Sequence, residues 1–195
     1  MPSSRPYRMR VRADATAATR ARIVDAVIAL GYDDLDVDPT LERVAARAGV
    51  SAQTVLRHFG SREAVLDAAL ETAQRGVVEE RVPTAGGPDA ALTALLAHYE
   101  LRGRFSLEML ARERTDARAR AVTGPGKRLH RHWVESAFAE RLAGRDEVER
   151  DALVDLLVVA TDVFTWKLLH LDRGLPAAVV LDRMRTLTDA ILARP

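Results

Sequence analysis

The stretch AGVSAQTVLRHFGSREAVLDA, residues 48–68, most limits how this chain folds. Gly49 suits a left-handed helix stop, and Ser51 suits the cap of a following helix. Gly60 and Ser61 repeat that punctuation. The segment between them, AQTVLRHF, is about two turns long and too short to be stable alone. Val55 and Phe59 stand at i, i+4 spacing and form one apolar edge. The helix must therefore lean on its neighbours, with Ala52, Gln53, Thr54 and Arg57 facing outward.

The flanks read as helix too. TRARIVDAVIAL places Ile23, Ala26, Val27 and Leu30 on one face, with Thr19 as a plausible cap. The acidic GYDDLDVDP then serves as a connector, its short LDVD alternation having nothing nearby to pair with. Thr40 suits the cap of TLERVAARAG, where Leu41, Val44 and Ala45 share a face. After Ser61, Val65, Leu66, Ala69 and Leu70 form another apolar face, and Glu63 favours the first turn. PTAGGP, residues 83–88, is the strongest break in the chain. Beyond it the pattern predicts helices over 89–103, 106–121, 128–143, 146–172 and 176–193. The breaks fall near 104, at GPGK (124–127) and at RGLP. The fold class is all-α: a three-helix N-terminal unit and a larger helical C-terminal one. The division expected is a flexible basic arm over 1–18, a helix-turn-helix domain over 19–66 and a helical domain over 67–195.

Two helices joined by Gly49-Val50-Ser51 have the build of a helix-turn-helix, whose second helix enters a major groove. A plain helical hairpin uses the same turn. The polar set on so short a helix favours DNA. Gln bonds adenine bidentately, Arg does so with guanine, and a Thr methyl meets the thymine methyl. Charge adds to this. The net charge is only +1, but Arg5, Arg8, Arg10, Arg12, Arg20 and Arg22 face Asp14 alone near the N-terminus. Arg8, Arg10, Arg12 and Arg20 are possible phosphate or minor-groove contacts; a solvated leader is the plainer alternative.

TRARIVDAV, then TLERVAARAGVSAQTVLRHFGSREAVLDAAL, resembles the N-terminal domain of the tetracycline-repressor (TetR/AcrR-like) family of bacterial regulators. The resemblance runs from about Thr19 to Leu70. It implies an all-helical homodimer on a double-stranded operator, with a C-terminal domain that dimerises and often holds a small ligand. It also implies base or near-base contacts from Ala52, Gln53, Thr54 and Arg57, phosphate contacts from Thr40, His58 and Arg62, and a place for Ser51 in the same DNA-binding set. Three positions depart from the family pattern. Leu56 stands where an aromatic phosphate contact is usual, and Glu42 where a basic or small polar residue is usual. Gly31-Tyr32 comes early, so either the first helix is short or Gly31 sits inside it.

Composition closes other routes. There is no cysteine, hence no disulfide or thiolate metal site. No apolar run approaches the ~20 residues of a membrane span, and no apolar leader opens the sequence. A cytoplasmic protein without cofactor, metal or membrane partner is expected. His130 and His132 are i, i+2 and point apart, and His170 has no partner at i+4. No nucleophile–base pair or phosphate loop occurs, so the chain does not read as an enzyme. A ligand pocket, if the resemblance holds, draws on the large side chains of the second half. These are Tyr99, Phe105 and Met109, then Trp133 and Phe138, then Phe164 and Trp166. The last two long helices are apolar enough to meet their copies, through Leu156, Ala160 and Phe164 on one and Leu181, Met184 and Leu187 on the other. The function expected is a repressor released from a pseudo-palindromic operator by a small molecule. The alternatives are a regulator without a ligand or, at longer odds, a helical small-molecule binder or enzyme.

Overall fold

The computed structural model describes residues 5–81 and 86–193, the side chains of 5–12 excepted. Every regular element among them is helical. The helices are α1 (Arg5–Asp33), α2 (Leu41–Ala48), α3 (Ala52–Phe59), α4 (Arg62–Arg81), α5 (Gly87–Arg112), α6 (Ala117–Ala137), α7 (Ala139–Leu142), α8 (Glu147–Thr161), α9 (Val163–Trp166) and α10 (Ala177–Leu192), with a π-helical segment over Lys167–Asp172. Two compact units divide at Arg75 and Gly76, within α4 and later in the chain than the 66/67 boundary expected from sequence. Residues 83–85 of the expected break at 83–88 lie outside the described ones, while Gly86 caps α5 and Pro88 stands in its first turn.

The first unit closes around Ile23, Val24, Val27 and Leu30 of α1, Val44 and Ala45 of α2, Val55 of α3, and Val65, Leu66 and Ala69 of α4. Each large aliphatic side chain so buried contributes about 1.5–3 kcal/mol. That burial holds helices as short as α2 and α3, which propensity alone does not. Helix α1 begins well before Thr19. Residues 5–18 are helical where a flexible arm was expected, and Thr19 is no cap: its hydroxyl donates to the Ala15 carbonyl at 2.9 Å. Gly31 sits inside α1 and is buried. The acidic connector folds back on basic neighbours. Arg43 pairs with Asp36 at 2.7 Å and Asp34 at 3.4 Å, Arg47 pairs with Asp33, and Arg62 pairs with Asp38 at 2.6 Å.

The second unit departs further from the sequence reading. The break expected near 104 is absent, because α5 runs unbroken to Arg112. The chain breaks instead at Glu113–Asp116, where the Asp116 carboxylate accepts from the amides of Arg118 (2.8 Å) and Ala119 (3.2 Å) and so caps α6. GPGK lies inside α6. Pro125 removes one helical hydrogen bond there. Burial of Ala119, Thr123, His130, Trp133 and Val134 along one face outweighs that loss. The 128–143 helix is interrupted at Phe138. The long 146–172 helix breaks at Asp162, whose backbone is extended and whose carboxylate accepts from the Phe164 amide at 2.9 Å. There the Tyr99 hydroxyl donates to the Thr161 carbonyl at 2.9 Å.

The core of this unit joins Leu92, Leu95 and Tyr99 of α5 with Trp133 and Val134 of α6, Phe138 at the α6–α7 junction, Val154 and Leu157 of α8, Trp166 of α9, and Val180 and Met184 of α10. Trp166 reaches it through a gap left by Gly103. A Cβ on residue 103 would lie 2.5 Å from Cζ3 of the indole. The indole Nε1 donates to Glu100 Oε1 at 3.0 Å, and the ring stacks on His170 at 5.4 Å. His170 lies within the π-helical segment.

Candidate nucleic-acid interface

The site begins with the caps. Thr40 accepts from the Arg43 amide at 3.3 Å and starts α2. Gly49 ends it in the left-handed region, φ +66°, where a side chain would be strained. The Val50 amide closes on the Ala45 carbonyl at 3.0 Å. Ser51 then starts α3, its hydroxyl accepting from the Thr54 amide at 3.2 Å and lying 3.0 Å from Thr54 Oγ1. Gly60 ends α3, and Ser61 accepts from the Ala64 amide at 3.1 Å. Removing the Ser51 hydroxyl leaves a helix-terminal amide unmet, so Ser51→Ala should cost about 1 kcal/mol in urea unfolding of the first unit.

This punctuation fixes which side chains face out. Val55 is completely buried. Ser51, Gln53, Leu56 and Arg57 are exposed, while Ala52, Thr54 and His58 are half-buried. A groove runs between α1 and α3, lined by Ala15, Thr16, Thr19 and Arg22 on one side and Val50, Thr54, Arg57 and His58 on the other. Two guanidinium groups, hydroxyls and an imidazole thus line one concave strip. Such a strip suits a phosphate backbone flanking a groove of duplex DNA.

Several predicted contacts are engaged elsewhere. The Arg20 guanidinium sits 3.9 Å over the Phe59 ring, and its Nη1 donates to the His58 carbonyl at 2.6 Å. It fastens the end of α3 to α1, so its guanidinium is already engaged within the first unit. Arg62 donates to the carbonyls of Pro39 (3.0 Å) and Asp38 (2.8 Å) and to the Asp38 carboxylate, so it ties the start of α4 to the connector. Thr40 is exposed but serves as a cap. The side chains of Arg8, Arg10 and Arg12 lie outside the described residues. Leu56 and Glu42 are both exposed.

Sequence reasoning missed Thr16, Thr19 and Arg22. The signal was present. Extending the helical phase upstream of Ile23 carries the inner face of α1 onto Thr19 and Thr16, with Arg22 on its flank, so that face turns polar beyond the core. The chain position of the presumed cap at Thr19 hid it.

Residues 36–69 match bacterial regulatory proteins of the tetR family. Over that segment the chain is similar to the tetR family. The match covers most of the connector, α2, α3 and the first turns of α4, which carry the turn chemistry and the outward face just described. The match supports a DNA-binding transcriptional regulator with a helix-turn-helix. No curated protein matches the chain.

The pocket and interface residues expected from the sequence are distributed as follows. Tyr99, Met109, Trp133, Phe138 and Trp166 are buried, and Phe105 is half-buried. Tyr99 and Trp166 stand 6.0 Å apart, and Trp133 meets Phe138 edge-on at 6.4 Å. Phe164 does not join them: it is 51 % exposed. Of the interface set, Ala160 and Met184 are buried inside the protomer and so are unavailable to a partner, which corrects their assignment. Leu181 packs partly against the core, while Leu156, Phe164 and Leu187 are exposed. Val148 and Val159, not foreseen, extend the exposed apolar stripe of α8. Among the described residues no three His, Asp or Glu groups are placed to hold a metal ion. His130 stacks on Trp133 and His170 on Trp166. No described helix is long and apolar enough to cross a membrane.

Proposed function

We propose that the protein is a homodimeric repressor that acts in the cytoplasm and leaves a pseudo-palindromic operator when a small molecule binds its second unit. The observation that carries the DNA half of this reading is the groove in which Arg22, Thr54, Arg57 and His58 converge beside the exposed Gln53. A dimer would set two α3 helices about 34–36 Å apart, one turn of DNA. Dimerisation is supported by the unpartnered apolar side chains of the last helices. On α8, Val148, Leu156 and Val159 follow one stripe at helical spacing, Val159 with 66 % of its surface exposed, and Phe164 and Leu187 lie beyond it. Exposed apolar side chains in such a run mark an interface.

A ligand changes operator affinity only by its differential affinity for the two states of the dimer. A regulator without a ligand is the second reading, and the close packing of Tyr99, Trp133, Phe138 and Trp166 in one core favours it.

The dimer is tested by Phe164→Glu. Burying a carboxylate in an apolar contact is costly, so light scattering should find a monomer with unchanged helical content. Footprinting on the gene's own upstream DNA should show two-fold symmetric protection by the native protein and none by the variant. A variant that stays dimeric would remove Phe164 from the interface. Protection without symmetry in the native protein would sink the dimeric operator reading.

A further inference from the structure

A buried cation without an acceptor is costly unless something else meets it. Arg81, the last residue of α4, is only 9 % exposed. Its Nε and Nη1 have no hydrogen-bond partner. The adjacent Glu80 is already taken, by Arg102 Nε at 2.7 Å and by His98 Nδ1 at 3.0 Å. Asp162 is near enough to feel the Arg81 charge, yet its Oδ1 is held by the Phe164 amide. Burial pulls the Arg81 guanidinium below its usual pKa. Donors of a buried guanidinium left without acceptors are uncommon in folded proteins.

His130 is the mirror case. It is 6 % exposed, and its Nε2 lies 3.2 Å from Thr161 Oγ1. The Thr161 hydroxyl proton is donated to the Leu157 carbonyl at 2.7 Å. That oxygen can then only accept, so Nε2 carries the ring proton and Nδ1 is a bare lone pair. Nδ1 is buried with no partner. Burial first, and then the charge of Arg81, push this histidine down to about 3, so it stays neutral at physiological pH.

The two orphans belong to one closed chain of contacts. The Arg81 guanidinium lies 5.9 Å from the Tyr99 ring centre, and the Tyr99 hydroxyl bonds the Thr161 carbonyl. Thr161 meets His130, and His130 stacks on Trp133 at 5.6 Å and 11°. Trp133 Nε1 donates back to the Arg81 carbonyl at 3.2 Å. We propose that this ring of side chains takes a small organic acid, its carboxylate on Arg81, its hydroxyl or N–H donor on His130 Nδ1, and its body between the rings of Tyr99 and Trp133. A planar guanidinium fork matches a carboxylate, and flat walls match a flat or extended apolar body. The orphaned atoms have no access to water in this conformation, so the acid enters as the contacts of the ring part. The unmet hydrogen bonds favour that parting. The inference rests on the ligand-released reading above and names the class of its ligand.

The test is thermal unfolding of the full chain with 4-hydroxybenzoate, indole-3-acetate and octanoate at about 10 mM, each beside its primary amide. At least one acid should raise Tm by about 5 °C, and its amide by less than about 1 °C. Arg81→Met, which removes the buried charge but keeps its bulk, should be as stable as the native protein without ligand and lose the shift. No shift with any acid, equal shifts with acid and amide, or an Arg81→Met that responds like the native protein would each overturn the proposal. If Arg81→Met does not fold, the acid–amide comparison on the native chain decides alone. None of these readouts involves DNA. Symmetric operator protection by a protein that no acid stabilises refutes only this inference. An acid that stabilises the protein without releasing its operator supports this site and refutes ligand release.

Discussion

Arg57→Ala should lower operator affinity by about 1–3 kcal/mol for each half-site, with the dimer and its thermal stability unchanged. Arg57 lies on the outer face of α3 and is exposed. It lines the α1–α3 groove with Arg22, Thr54 and His58. The other arginines next to α3 are differently placed. Arg20 is spent on the Phe59 ring and the His58 carbonyl, and Arg62 on Asp38 and Pro39. Loss of Arg57 therefore removes a cation from the strip without loosening the helix that carries it. Fluorescence anisotropy on the protected upstream fragment, set against a scrambled duplex, reads the effect. A guanine contact predicts loss confined to the specific fragment. A phosphate contact predicts loss on both duplexes, and a log K against log salt slope shallower by about 1 per contact. Unchanged affinity on both duplexes would rule Arg57 out of DNA recognition and with it the outward face of α3.

Gly103→Ala should destabilise the second unit by about 2–3 kcal/mol and lower its Tm by roughly 5–10 °C. The sign is the point of interest. Within a long helix such as α5, alanine in place of glycine ordinarily stabilises by about 1 kcal/mol. Here the new methyl would stand 2.5, 2.8 and 2.9 Å from Cζ3, Cη2 and Cε3 of Trp166. The indole cannot swing away: it is 2 % exposed, bonded to Glu100, and flanked by His170 and Tyr99. Scanning calorimetry measures the shift. An unchanged or higher Tm would mean that α5 and α9 separate more easily than this packing allows.

What could be read from the sequence was whatever local chemistry decides. Thr40, Gly49, Ser51, Gly60 and Ser61 each act within four residues of their own position, and each punctuates the chain where its side chain or φ requires. What could not be read depended on distant partners. Pro125 looks like a break until the face of α6 that buries Trp133 and Val134 is known. Asp162 looks like a helix residue until its place as a cap, beside a Thr161 carbonyl claimed by Tyr99, is known. Arginine was the least legible. Charge and position gave Arg20 and Arg62 the same appearance as Arg57, and only the structure separates those bound to their own chain from the one left outward. Phe164 departs from its place among the pocket residues because the break at Asp162, hidden in a long apolar run, turns it outward. Met184 lies on the separate helix α10, where an apolar stripe alone does not say whether it meets the core or a partner.

The aspartates of the connector have a consequence for how this regulator finds its target. A chromosome offers a great excess of wrong sites, all lined with the same phosphates, and idle binding to them grows with the number of cations a protein can lend. Asp33, Asp34, Asp36 and Asp38 occupy Arg43, Arg47 and Arg62 before any duplex arrives. In the proposed reading they would act as a built-in competitor, a short length of polyanion carried by the protein itself. If the strip between α1 and α3 meets DNA as proposed, those acids would lighten the grip on arbitrary DNA and leave discrimination to the side chains they do not cover.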